Sequence, residues 1–242
     1  MLPFGEMWVK IKEIFEQSPL FSGNIRVYGF NEEVYQQLVK DSDDFKMSTL
    51  PMSQEIINMF SEIPGVDLTY RYKEASSIKI KLERLTLKKK LFKVANDILG
   101  FRFIFKTDTE RLKKIVEEFV SCSSFRDHCN VVDQTEGKRI DDGYRGIHVN
   151  IYISKAYPIE IQFWTRTHAL LNEYLHANIY KIDNMVLNQY AVDLSNWFKE
   201  VPLFPESDGL EVQSYIDFIY EKVFYSDDDE TVNGQLDEEC DF

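Results

Sequence analysis

Ser77, Lys81 and Arg84 are spaced at i, i+4 and i+7, which places a hydroxyl and two cations on one helix face. Arg71 and Lys73 stand two apart just before them, on one side of an extended stretch. Such a cluster suits a polyphosphate, because Arg offers a planar fork and Lys a point charge. The same spacing also describes a solvated basic face, continued by Lys88, Lys89, Lys90 and Lys93, and on spacing alone that reading is the simpler one. Asp97 stands before Gly100 and Arg102, and Glu160 and Gln162 share one side of a second strand. Asp97 and Glu160 could share one Mg²⁺ against substrate phosphates, the usual arrangement for that ion. His148, Asn150 and Tyr152 alternate along another strand. Tyr144 follows Gly143 in a loop, from which its ring can stack on a ligand or simply be buried.

Hydrophobic periodicity places these residues on elements. Residues 6–17 read as an amphipathic helix with Met7, Ile11, Ile14 and Phe15 on one side, ended by Pro19 and Gly23. A second helix over 31–40 is capped by Asn31. A polar loop over 41–51, a short helix over 53–61 and an extended stretch over 66–73 follow. Residues 76–91 read as a helix. Phe101, Phe103 and Phe105 then alternate with Arg102, Ile104 and Lys106, a strand period. Asp108 caps a helix to about Phe119. Short strands are expected at 130–133, 147–153 and 159–164, and helices at 166–182, 184–198 and 210–224. The reading is one α+β domain over 1–225, a mixed central sheet with flanking helices. Neither a GxGxxG nor a GxxxxGK[ST] run is present.

Composition narrows the class. The 242 residues carry 28 Lys+Arg and 41 Asp+Glu, a net charge of −13, with 44% hydrophobic residues, an ordinary globular balance. No apolar run approaches the ~18 residues of a membrane span. Glu6, Lys10 and Lys12 near the start are unlike a signal peptide. Cys122, Cys129 and Cys240 form no CxxC pair, which fits reduced thiols in a cytoplasmic protein. Eight acids and no base fall between Ser226 and Phe242, which reads as an acidic, disordered tail.

Four segments in order resemble the synthetase domain of the RelA/SpoT family, a nucleotidyltransferase-like fold. They are Arg71-x-Lys73-x₃-Ser77-x₃-Lys81-x₂-Arg84, Asp97-Ile98-x-Gly100-x-Arg102, Gly143-Tyr144-Arg145-Gly146-x-His148 and Glu160-Ile161-Gln162, with a core over about 66–182. The resemblance implies a Mg²⁺-dependent pyrophosphokinase that moves the β,γ-pyrophosphate of ATP onto a ribose 3′-hydroxyl and releases AMP. It implies that Arg71 and Arg102 flank the adenine and that Lys73, Ser77, Lys81 and Arg84 hold the phosphates. Asp97 would bind the metal, and Glu160 would share it or take the attacking hydroxyl's proton. Tyr144 would stack on the acceptor base, with His148 and Gln162 on the acceptor side.

The last motif departs from the pattern Glu-x-Gln-x-Arg-Thr of the family's alarmone synthetases. Trp164 stands where Arg is usual, and Arg166 comes two places late. That change leans towards the family's toxin branch, which modifies the 3′ end of tRNA and is paired with an antitoxin. GDP or GTP as acceptor, giving (p)ppGpp, is the alternative. An adenosine nucleotide is a third option, and a non-catalytic nucleotide-binding module a fourth reading. The net charge opposes tRNA binding. With the tail set aside, Lys88, Lys89, Lys90 and Lys93 offer a phosphate-facing patch. Some small members of the family form homo-oligomers. His168, Asn172 and His176 share a helix face, either packed against the groove or functional.

Overall fold

The computed structural model describes residues 2–123, 125–179 and 185–200, all within one compact unit, Met1–Val201. In chain order the elements are α1 (Phe4–Glu16), β1 (Arg26–Val27), α2 (Glu32–Phe60), β2 (Val66–Tyr72), α3 (Ala75–Glu83), β3 (Lys89–Lys90) and α4 (Leu91–Val94). Then come β4 (Leu99–Phe105), α5 (Thr109–Ser121), β5 (Cys129–Asp133), β6 (Ile147–Ile151), β7 (Ile159–Thr165), α6 (Arg166–Asn178) and α7 (Met185–Glu200). The expected helix over 210–224 and the acidic tail over 226–242 lie outside the described residues.

Five strands form one mixed sheet in the order β2-β4-β7-β6-β5. Only the β4–β7 pair is parallel; the others are antiparallel. A parallel pair needs a crossover, and α5 with the β5–β6 hairpin supplies it. Alternation along β4 and β7 then separates the faces. Phe101, Phe103, Ile161 and Phe163 are fully or almost fully buried on one side. The rings of Phe103 and Phe163 stack 5.2 Å apart, and Phe4 of α1 and Phe119 of α5 close over them. Each such ring stabilises the fold by about 1.5–3 kcal/mol relative to exposure. Trp8 ties α1 to α5, its indole donating to the Phe119 carbonyl at 2.7 Å. Asp108 caps α5 through the Arg111 amide, as its position before an apolar stripe predicts.

The structure corrects two local expectations. Residues 41–51 are not a loop: α2 runs unbroken from Glu32 to Phe60, with Pro51 inside it. The buried polar residues of that stretch, Asp41, Ser42 and Thr49, have partners distant in sequence. Asp41 accepts from the buried Tyr157 hydroxyl at 2.6 Å, and Ser42 donates to the Lys73 carbonyl. Thr49 and Ser53 meet the Tyr72 hydroxyl at 2.8 and 3.0 Å. The helix expected over 76–91 ends at Glu83. Beyond it, Lys89–Lys90 pair antiparallel with Arg26–Val27, and the Leu91 and Phe92 amides bond to the Ile25 and Gly23 carbonyls. A pairing with residues some sixty positions earlier has no local signature. Among the described residues no helix is long and apolar enough to cross a membrane.

Candidate active site

The polar face of the sheet is organised by register. Arg71, Gly100, Glu160 and Asn150 lie in one transverse row across β2, β4, β7 and β6. Thr69, Arg102, Gln162 and His148 form the next row. Alternation along four strands therefore delivers Arg71, Arg102, His148, Glu160 and Gln162 to one surface. Glu160, Gln162 and Asn150 are buried there. The buried groups are paired, as burial requires. His148 Nδ1 donates to Glu160 Oε1 at 3.1 Å and Gln162 Nε2 to Glu160 Oε2 at 2.9 Å. Arg102 Nε donates to Gln162 Oε1 at 3.0 Å. Burial pushes the Glu160 carboxyl up, but His148, through its hydrogen bond and its charge, and then the Gln162 hydrogen bond outweigh it and hold it below the usual carboxylate range.

Asp97 sits between α4 and the start of β4, beside the end of β2 and the last turn of α3. Lys73 pairs with its Oδ2, and Lys81 with Oδ1 at 2.9 Å. Lys81 also donates to Asn96 Oδ1 at 2.8 Å. Asn96 in turn donates to Asn150 Oδ1 at 3.3 Å, which links this corner to the row holding Glu160. Burial raises the Asp97 carboxyl, yet Lys81 and Lys73 together keep it below its ordinary value. Burial lowers Lys81, and Asp97 opposes that only in part.

Two hollows flank these carboxylates. A groove of about 370 Å³ is lined by Lys73, Ser77, Lys81, Arg84, Lys89 and Lys93. A smaller slot of about 170 Å³ is lined by Arg71, Gly100, Arg102 and Gln162, among others. The helix-face cluster read from spacing is thus one wall of a groove. Lys89 and Lys93, which read either as part of a solvated run or as a phosphate-facing patch, complete it because β3 and α4 turn the chain back. Asn150, read on the His148 face, was given no role, and Asn96 was missed; its adjacency to Asp97 was the available signal.

The third region is the loop before β6. Gly143 has φ +84°, and a Cβ there would lie 2.6 Å from the Ala191 carbonyl of α7. Ser195 donates to the Gly143 carbonyl, and Asn172 of α6 brackets the Arg145 backbone, accepting from its amide and donating to its carbonyl. The buried Arg145 guanidinium makes a two-pronged pair with Asp141 at 2.8 and 2.9 Å. These contacts hold Tyr144 with its ring 5.1 Å from His148. Burial pushes the Tyr144 hydroxyl up, so it stays protonated. Of the three residues on the α6 face, His168 and Asn172 are buried supports and His176 is exposed.

Asp97, bonded by two lysines of the groove, and Glu160, on the strand next to β4, are the carboxylates that could hold a Mg²⁺ together with phosphate oxygens. Among the described residues no three His, Cys, Asp or Glu side chains gather into a cage for a metal held by protein alone.

Residues 70–185 match the family described as a region found in RelA/SpoT proteins. No curated protein matches the sequence. Among solved structures, small alarmone synthetase 1 from Bacillus subtilis bound to its product pppGpp is 18% identical, covering 79% of this chain and 97% of that one, with a TM-score of 0.44. A GTP pyrophosphokinase family protein from Streptococcus pneumoniae is 19% identical over 78% of this chain and 95% of its own, with a TM-score of 0.42. The complex between the Type VI effector Tas1 and its immunity protein matches at 11% identity over 79% of this chain and 99% of that one, TM-score 0.37.

Proposed function

From a chain that carries the RelA/SpoT region over residues 70–185, we propose a pyrophosphokinase that transfers the β,γ-pyrophosphate of ATP to a ribose 3′-hydroxyl and releases AMP. The observation that carries the proposal is the placement of Asp97 and Glu160. They border one surface, with the lysine groove on one side and the Tyr144–His148 pair on the other.

In this reading Arg71 and Arg102 bracket the adenine in the smaller slot. Lys73, Ser77, Lys81 and Arg84, with Lys89 and Lys93, receive the polyphosphate. Lys73 and Lys81 move from Asp97 to phosphate oxygens when the nucleotide arrives, which frees the carboxylate. Mg²⁺ bound by Asp97 and Glu160 would offset phosphate charge. In-line displacement at phosphorus depends chiefly on positioning and charge neutralisation, and these side chains provide both. Glu160, held ionised by His148 and Gln162, stands where it can accept the proton of the attacking hydroxyl. Tyr144 offers its ring to the acceptor base. His148 Nε2, buried without a partner among the described residues, is a free group on the same side.

For the acceptor, the reading leans to the 3′-terminal adenosine of tRNA, with translation as the process blocked and an antitoxin as the expected partner. Trp164 in place of the usual Arg supports this. So does the segment 84–96, with five cations and no acid, running alongside the groove. GDP or GTP is the second reading, favoured by the net charge of −13. Incubation with γ-³²P-ATP and deacylated tRNA, GDP, GTP or ATP decides. Label on tRNA alone rejects alarmone synthesis, label on GDP or GTP rejects the tRNA reading, and label on nothing supports a non-catalytic binding module.

A further inference from the structure

Trp164 is where the last motif departs from the family pattern, and it sits at the junction of the two halves of the site. It lies near the C-terminal end of β7, on the face that carries Glu160 and Gln162, and is only 3% exposed. Its ring lies under the Arg102 guanidinium, 3.9 Å from carbon to centroid. Its indole N–H donates to the Tyr144 hydroxyl at 2.7 Å. Gly146 permits this approach, since a Cβ there would stand 2.6 Å from the indole. Arg102 is thus fixed from two directions, by the ring below and by Gln162 beside it. Tyr144 is fixed through its oxygen, which leaves its ring face to other neighbours.

We infer that Trp164 is a two-sided positioning residue: its face presents Arg102 to the nucleotide slot, and its edge sets the angle of the Tyr144 ring. The inference rests on the pyrophosphate-transfer reading, which assigns Arg102 to ATP and Tyr144 to the acceptor. A tryptophan that merely filled space would need neither a cation on its ring nor a bonded N–H. The two functions are separable because they use different parts of the indole. Phe keeps a ring under Arg102 and loses the N–H; Leu loses both.

The test compares W164F, W164L and Y144F in the full chain. It measures the KM for whichever of deacylated tRNA or GDP takes label, and the Kd for a non-hydrolysable ATP analogue by calorimetry. W164F should raise the acceptor KM roughly 3- to 10-fold, the effect of one lost hydrogen bond, with the analogue Kd within about twofold of wild type. W164L should add a roughly 3- to 10-fold loss of analogue affinity as the cation–π contact goes. The double variant W164F/Y144F should be no worse than the poorer single variant, because both remove one bond. A fraction of unfolded protein lowers the active concentration and cannot produce this split. W164F indistinguishable from wild type in both constants, or changing both equally, overturns the inference while leaving pyrophosphate transfer intact. A wild-type chain that neither binds the analogue nor transfers label overturns the transfer reading, and this inference with it.

Discussion

At the scale of single residues, the two carboxylates are each held ionised, but by different partners. Asp97 has a lysine on each oxygen and stays charged because of them. Glu160 is bonded by one histidine and one amide and by no lysine. That difference suits Asp97 to exchange its lysines for a metal once phosphates draw them away, and Glu160 to face the attacking hydroxyl. Asp97→Asn and Glu160→Gln should each lower pyrophosphate transfer by about 10²- to 10³-fold, measured as labelled product per minute at saturating ATP. Full activity in either variant would show that the carboxylates are misassigned. Asp97→Asn also leaves Lys73 and Lys81 facing each other without a counter-charge. Its melting temperature should fall for that reason, whereas Glu160→Gln retains a group that can still accept from His148.

At the scale of elements, what was legible in the sequence depended on how local the cause was. The faces of β4, β6 and β7 follow from alternation, which is written residue by residue, so the polar faces carrying Arg102, His148, Glu160 and Gln162 could be read before any coordinates. The length of α2 could not, because Asp41 and Thr49 look like loop residues until Tyr157 and Tyr72 arrive to bond them. Lys89 and Lys93 could be read as a phosphate-facing patch, but not as part of one groove with Lys81, because β3 exists only through its pairing with β1. The start of α6 is an intermediate case. Thr165 and His168 form a reciprocal cap, with His168 Nδ1 accepting from the Thr165 amide and Thr165 Oγ1 from the His168 amide. Burial, and then the Arg145 charge, lower the His168 pKa from 6.5 to about 4. The unfolded chain therefore binds a proton that the folded chain refuses as the pH falls from about 6.5 to about 4. Stability from this group is complete above the upper value and is lost on the way down, about 3 kcal/mol over the window. Urea midpoints recorded across that range should fall steeply for wild type and more gently for His168→Gln. Equal slopes would mean that His168 is protonated in the folded state.

At the scale of the whole molecule, charge is divided against itself. The chain carries −13, yet the groove assigned to phosphates is lined by five cations. Eight of the acids lie in residues 226–242, and the chain without them has 33 acids against 28 bases. An anionic ligand approaching from solution meets the summed field first, and only within about 8–10 Å at physiological salt does the local groove dominate. Deleting residues 226–242 should therefore quicken association more than it tightens final binding. Stopped-flow measurements with a fluorescent ATP analogue should show an on-rate several-fold higher for the deleted chain at low salt, converging with the full chain as salt rises towards about 0.5 M. The off-rate should be nearly unchanged, because it reports contacts inside the groove. Equal on-rates at low salt would mean that the terminal acids exert no field on the groove. A lower on-rate after deletion would mean that the segment assists nucleotide entry rather than repelling it.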